Sequence, residues 1–168
     1  MSPLTGIAAL EERIQRLEDH RDILGVLAAY GPAVDSGSAD AVAGLWTEDG
    51  SYTYSLGDGE ATLSGTEDFL GMVHGPSHQK IITEGSSHFL GIPDIRVSGD
   101  AAVATGYSML VRHRDGADPG YYVDRLSANR WELTRTGRGW KVTARTNSLL
   151  DGRAASRHML ANAGSAAL

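Results

Sequence analysis

The spacing of apolar positions changes along this chain. From Ile7 to about Val34 they recur every three or four residues, with Leu10, Ile14, Leu17, Leu24 and Leu27 beneath a charged outer face, which predicts a long helix. Pro32 is expected to kink or tighten its end. Ser38 is placed to cap a short second helix through Ala41, Val42, Leu45 and Trp46, closed by the turn Glu48-Asp49-Gly50. The period then falls to two. Ser51 to Ser55 alternates as a strand, Gly57-Asp58-Gly59 turns the chain, and Ala61 to Leu63 can pair back. Gly65-Thr66 opens a third short helix through Phe69, Leu70 and Val73, and His74 to His78 reads as a loop. From Gly85 onward strand signals dominate: Ser86 to Leu90, Ile92 to Val97, Ala102 to His113, Tyr121 to Thr134 and Trp140 to Leu149, separated by Gly-rich turns. Helices first and a long sheet after them predict an α+β domain whose helices cover one sheet face. The expected domain is 1–168, with a core over about 10–152 and a C-terminal tail over 153–168.

Two titratable residues break this pattern. Asp35 ends a helical row formed by Leu24, Ala28 and Gly31, and His88 shares one strand face with Ser86 and Leu90. A carboxylate buried alone costs several kcal/mol or stays protonated, and an imidazole is its natural partner. The plainer reading is a solvated Asp and an unrelated core His. Weaker candidates follow. His74 and His78 stand four apart, but Gly75-Pro76 intervenes and no HExxH pattern exists, so loop histidines are expected and no metal. His113 faces one way along its strand with Tyr107 and Met109, while Asp124 and Arg125 read as a solvated strand pair.

Composition narrows the classes. A chain of 168 residues, 41% hydrophobic and 21% charged, is of single-domain size, and no apolar run approaches the ~18 residues of a spanning helix. No membrane role is expected. The absence of cysteine removes disulfides and thiol catalysis, and with no secretory signal pattern at the N-terminus a cytoplasmic location is the default expectation. A net charge of -6 with dispersed arginines argues against nucleic acid.

The order of elements resembles the SnoaL-like members of the nuclear transport factor 2 (NTF2) superfold. The segments that carry the resemblance are Tyr30 with Asp35, Leu45-Trp46-Thr47-Glu48-Asp49, and His88-Phe89-Leu90-Gly91. Ile95 to Ala102, Asn129 to Leu133 and Gly139 to Arg145 complete it. The resemblance implies a cone of curved, mixed and mainly antiparallel sheet with N-terminal helices around a pocket. It also implies a homodimer or homotrimer. Scytalone dehydratase, hexachlorocyclohexane dehydrochlorinase and bile acid dehydratase in this superfold use a Tyr, an Asp near that helix end and a sheet His, matched here by Tyr30, Asp35 and His88. Arg145 falls where related dehydrochlorinases place a pocket arginine. Strand parity groups it with Lys141 and Thr143, however, opposite Trp140 and Val142, so it faces outward unless a bulge intervenes. Asn147 shares its parity.

The resulting expectation is a lyase or isomerase of dehydratase, isomerase or cyclase type that needs no cofactor. His88 is the general base, Asp35 orients it, and Tyr30 with Tyr54 donates to a developing oxyanion. For Tyr54 a strand aromatic paired with Tyr52 is the alternative. The substrate expected is a hydrophobic, oxygenated cyclic small molecule in a pocket shaped by Trp46, Phe69, Met72, Phe89, Tyr107 and Met109. Two other functions stay open: a binding module without turnover, and a structural subunit like the beta subunit of aromatic-ring dioxygenases.

Overall fold

The computed structural model describes residues 3–56 and 58–161. Element order is α1 (Pro3–Asp35), α2 (Ala39–Ala43), β1 (Trp46–Leu56), β2 (Gly59–Ser64), α3 (Gly65–His74), α4 (Pro76–Glu84), β3 (Ser86–Leu90), β4 (Asp94–Ser98), β5 (Ala101–Arg114), β6 (Gly120–Thr136), β7 (Gly139–Leu149) and α5 (Ala154–Ala161). The strands form a single curved sheet in the order β2-β1-β7-β6-β5-β3, and β4 pairs with the first half of β5 while β3 pairs with its second half. All pairings are antiparallel except β1 with β7, so the sheet is mixed. No helix among the described residues is long and apolar enough to cross a membrane.

Helix α1 lies on the sheet through Ile23, Leu27, Tyr30 and Val34, all buried. These meet Trp46, Phe69, Trp131, Leu133, Trp140 and Val142 in one core, with Trp46 stacked on Phe69 at 4.4 Å between ring centroids. The expected leucine stripe is therefore only partly the buried one: Leu27 enters the core, whereas Leu10, Ile14, Leu17 and Leu24 are exposed. Burial starts at Asp19, whose carboxylate accepts hydrogen bonds from Arg135 (2.7 and 2.8 Å), Gln15 (3.0 Å) and the Trp140 indole (3.3 Å). The arginine beside it holds its carboxyl below the usual carboxylate range.

Three boundaries differ from expectation. α2 stops at Ala43, so that Trp46 and the expected turn Glu48-Asp49-Gly50 belong to β1, and the chain is helical again from Pro76, where a loop was expected. Proline at the first turn of α4 loses no intrahelical bond, since that N–H would be unpaired anyway. The supposed tail begins with a helix: α5 lies against β5, β6 and β7 and buries Ser156, while residues 162–168 lie outside the described residues.

Candidate active site

The last turn of α1 comes unusually close to β3. A Cβ built on Gly31 would stand 2.4 Å from the carbonyl oxygen of His88, so only a glycine lets the two backbones approach this far. One turn later Asp35 takes hold of the strand at two points. Its Oδ1 lies 2.6 Å from His88 Nδ1, and its Oδ2 accepts the His88 backbone N–H at 2.7 Å. The side chains of both residues are 20% exposed. Because Nδ1 faces the carboxylate, it carries the proton in the neutral ring, and Nε2 is left as the nitrogen available to a substrate.

His88 lines three cavities: an open groove of about 340 Å³ shared with Gly31, Asp35 and Phe89, and two others that adjoin one another. The wider of these two, of about 330 Å³, lies between the sheet and the helices α3 and α4, with Tyr52, Tyr54, Met72, His78 and Ile81 in its wall. The narrower, of about 60 Å³, runs along the sheet past Ser108, Met109, Ser127, Arg145 and Asn147. Tyr30, Tyr52, His88 and Arg125 line both. Tyr30 is buried with its ring edge-on to His88, Trp46 and Trp131, at 6.2, 5.9 and 5.5 Å between centroids. Its hydroxyl makes no hydrogen bond to the described residues. Burial pushes the Tyr52 hydroxyl up to about 12, although the nearby Arg145 charge works the other way, so this phenol remains a proton donor at neutral pH.

Arg145 faces inward, as the resemblance implies and as unbroken strand parity would not allow. Only 3% exposed, it places its guanidinium carbon 4.1 Å from the Trp131 ring centre and 4.4 Å from those of Tyr30 and Tyr52. Nε and Nη2 donate to Asn129 Oδ1 at 3.0 and 2.8 Å, while Nη1 is buried without a partner. Asn129 in turn donates to Ser108 Oγ at 2.6 Å, and Asn147 Nδ2 reaches Asn129 Oδ1 at 3.2 Å. The inward orientation follows from a bulge: Leu133 pairs with Val142 but Glu132 pairs with Ala144, which leaves Thr143 as the extra residue. Parity reverses there, and Arg145 joins Trp140 and Val142 on the buried side. No Asp or Glu is among the residues lining either cavity, so a guanidinium faces space with no counter-charge of its own.

Of the residues expected at the site, Asp35, His88, Tyr30, Tyr54, Arg145, Asn147, Met72 and Met109 do come together here. Four do not. Trp46 and Phe69 stack in the core, removed from these cavities by the packing of α3 on β1. Phe89 and Tyr107 are more than half exposed, Phe89 because alternation along β3 turns it away from the His88 face. Tyr107 lines a separate groove with Leu24 and Ile92. Tyr52, His78, Ser108, Arg125 and Asn129 were not expected. His78 sits buried on α4 rather than in a loop, with Nε2 2.9 Å from the Val34 carbonyl and its ring 5.8 Å from that of His88. Arg125 does pair with Asp124, at 3.4 Å and nearly half exposed, as a solvated strand pair would, but beside the bulge at Asp124, between the pairs Leu110–Arg125 and Val111–Val123, it also reaches the edge of both adjoining cavities. Asn129 could have been found by the reasoning that found Asp35, since it is a polar residue alternating with Ser127, Trp131 and Leu133 on a buried face.

Residues 15–146 match the SnoaL-like domain family. The chain belongs to that family. Solved structures similar to this chain include an NTF2-like protein with a cystatin-like fold from Novosphingobium aromaticivorans. It is 40% identical, with 95% of this chain and 98% of that one covered at a TM-score of 0.84. A candidate aromatic ring hydroxylase from the same organism is 25% identical, covering 80% and 90% at 0.63. A candidate dehydratase of the NTF2-like family from Streptomyces avermitilis is 20% identical, covering 80% and 97% at 0.60, and this last likeness speaks for the fold alone. No curated protein matches the SnoaL-like chain.

Proposed function

We propose that this SnoaL-like protein is a lyase or isomerase of dehydratase type that works without a cofactor on a hydrophobic, oxygenated cyclic small molecule. The observation that carries this reading is the two-point hold of Asp35 on His88, which occupies Nδ1 and leaves Nε2 as the free ring nitrogen of a residue that lines both adjoining cavities. Nε2 takes a proton from a carbon beside the substrate carbonyl, and Asp35 stabilises the imidazolium that forms. The electron pair moves to the carbonyl oxygen. Tyr30 and Tyr52 hydroxyls and the unpaired Nη1 of Arg145 are the donors for that oxyanion, in a cavity whose lining holds no carboxylate. Collapse of the enolate then expels a β-hydroxyl, which recovers the proton from His88 and leaves as water. Where no leaving group stands there, reprotonation at another carbon completes an isomerisation.

The test is conversion of a panel of hydroxylated cyclic ketones, followed by mass spectrometry with wild type, His88→Ala and Asp35→Asn. Loss of water marks dehydration, and a new compound of unchanged mass marks isomerisation or cyclisation. Each substitution should cost on the order of 10²-fold or more, and the double variant should lose far less than the product of the two. Equal turnover by wild type and His88→Ala refutes the mechanism, and ligand retained unchanged by the wild type points to a binding module instead.

A further inference from the structure

The first half of α1 stands apart from the body of the protein. From Gly6 to Glu18 every residue is exposed. A helical segment of that length is marginal in water without tertiary packing. Its apolar residues are not scattered. Ile7, Leu10, Ile14, Leu17 and Leu24 step by three, four, three and seven, and they are 41 to 72% exposed. This is the heptad repeat of a coiled-coil seam, with Ile at the a positions and Leu at d, and with Arg21 as the one polar a residue.

We propose that this stripe pairs with the same stripe of a second copy of the chain in a parallel, two-stranded coiled coil. Ile at a with Leu at d is the combination that favours two parallel strands. The flanking charges choose the same orientation. Glu11 and Glu18 occupy e positions and Arg13 a g position, so a parallel pair in register sets Arg13 of each copy against Glu18 of the partner subunit, twice by symmetry. An antiparallel pair would bring the e-position glutamates of the two helices together. Arg21 meets its own counterpart across the seam, but each Arg21 already carries Asp22 at 2.7 Å, which offsets the like charge. A single polar a residue also fixes register at some cost in stability. An anionic lipid surface suits the segment less well, because Glu11, Glu12, Glu18 and Asp22 outnumber Arg13, Arg16 and Arg21 along it.

The experiment uses the full chain and measures mass by sedimentation and light scattering at tens of micromolar. Wild type should be a dimer, and Ile14→Glu with Leu17→Glu should give a monomer that keeps its β-sheet dichroism. Because the chain has no cysteine, Leu10→Cys supplies a unique thiol. Mild oxidation should link two copies through it, and adding Leu17→Glu should abolish the link. Arg13→Glu should weaken the dimer roughly tenfold, and adding Glu18→Arg should restore it, as expected for exposed charge pairs along a helix. A monomeric or trimeric wild type overturns the proposal. So does a dimer indifferent to Leu17→Glu, a dimer that fails to link through Leu10→Cys, or a monomer that sediments with anionic vesicles only while Leu17 is intact.

Discussion

Gly31→Ala is the sharpest perturbation available, because it adds one methyl group at a point the catalytic proposal depends on and leaves the Asp35 and His88 side chains themselves unchanged. The new Cβ would stand 2.4 Å from the His88 carbonyl oxygen, whereas real Cβ contacts essentially never fall below 3.0 Å. Both neighbours are backbone, so neither can turn aside. Helix and strand must separate by at least about 0.6 Å, the difference between those distances. That displacement falls on the 2.6 and 2.7 Å hydrogen bonds from Asp35, one turn further on, and takes them to or past the outer edge of normal N–H···O geometry, about 3.2 Å. Overpacking of this kind costs about 1–3 kcal/mol, read as a fall in Tm of roughly 2–4 °C per kcal/mol. Misplacing a catalytic group by about 1 Å can cost on the order of 10²-fold in turnover. The assay is kcat/KM on whichever ketone the wild type converts, with thermal unfolding alongside. Because the damage should run through the dyad, Gly31→Ala added to Asp35→Asn should cost little more than Asp35→Asn alone. Wild-type turnover in Gly31→Ala, or losses that multiply in the double variant, would refute the argument.

Other expectations follow from the same geometry. Tyr30→Phe should lower kcat roughly 10- to 10³-fold while leaving ligand binding within a few-fold, since it removes one oxyanion donor and keeps the ring in its aromatic contacts; a larger loss of binding than of turnover would contradict this. Arg145→Met should lower turnover and also reduce stability, because Asn129 Oδ1 then keeps only Asn147 as donor; unaltered kinetics would remove Arg145 from the oxyanion site. Asp19→Ala should destabilise by about 1–3 kcal/mol in denaturant unfolding, since it strands the Trp140 indole N–H and one side of Arg135. Its folded-state pKa is depressed, so the stabilisation is complete above the unfolded carboxylate value near 4 and fades as pH falls through the folded value. Wild type should therefore lose its stability advantage over Asp19→Ala in that acidic window, and a difference independent of pH there would exclude the ion pair as its source.

How far the site was legible depends on what each residue needed. His88 was placed on its strand face by local alternation, but the row that led to Asp35 is not the buried one: Leu24 and Ala28 are exposed, and the core lies one step round the helix at Ile23, Leu27, Tyr30 and Val34. The two stripes of α1 were harder to separate. One runs through Leu10, Ile14 and Leu17 at heptad spacing, and the other through Ile23, Leu27, Tyr30 and Val34, where the sheet covers it. Hydropathy weights the two alike, and only tertiary contact decides which belongs to the core. Asp19 shows why the buried stripe is easily missed: its first member is a carboxylate, admitted only because Arg135 and Trp140 come from β6 and β7, more than a hundred residues later. His78 was misplaced for a local reason, since Pro76 reads equally well as a loop residue and as the first residue of a helix.

Arg145 marks a firmer boundary, and it bears directly on the chemistry. Alternation assigns a strand residue to a face only while the ladder is unbroken, and a single bulge at Thr143 reverses every assignment after it. Thr143 hydrogen-bonds through its hydroxyl to the Glu132 carbonyl at 3.1 Å, a contact that exists only once β6 and β7 have paired. The position of the bulge is therefore a property of two strands together and not of either alone. Its consequence is large: without it the guanidinium would lie in solvent, and with it a cation is enclosed by three aromatic rings in a cavity that His88 also lines. Burying that charge without a carboxylate is costly for the fold. Under the proposed mechanism an acid as its partner would quench the field that a developing enolate needs, and the unpaired Nη1 supports the reading of Arg145 as an oxyanion donor over a purely structural one.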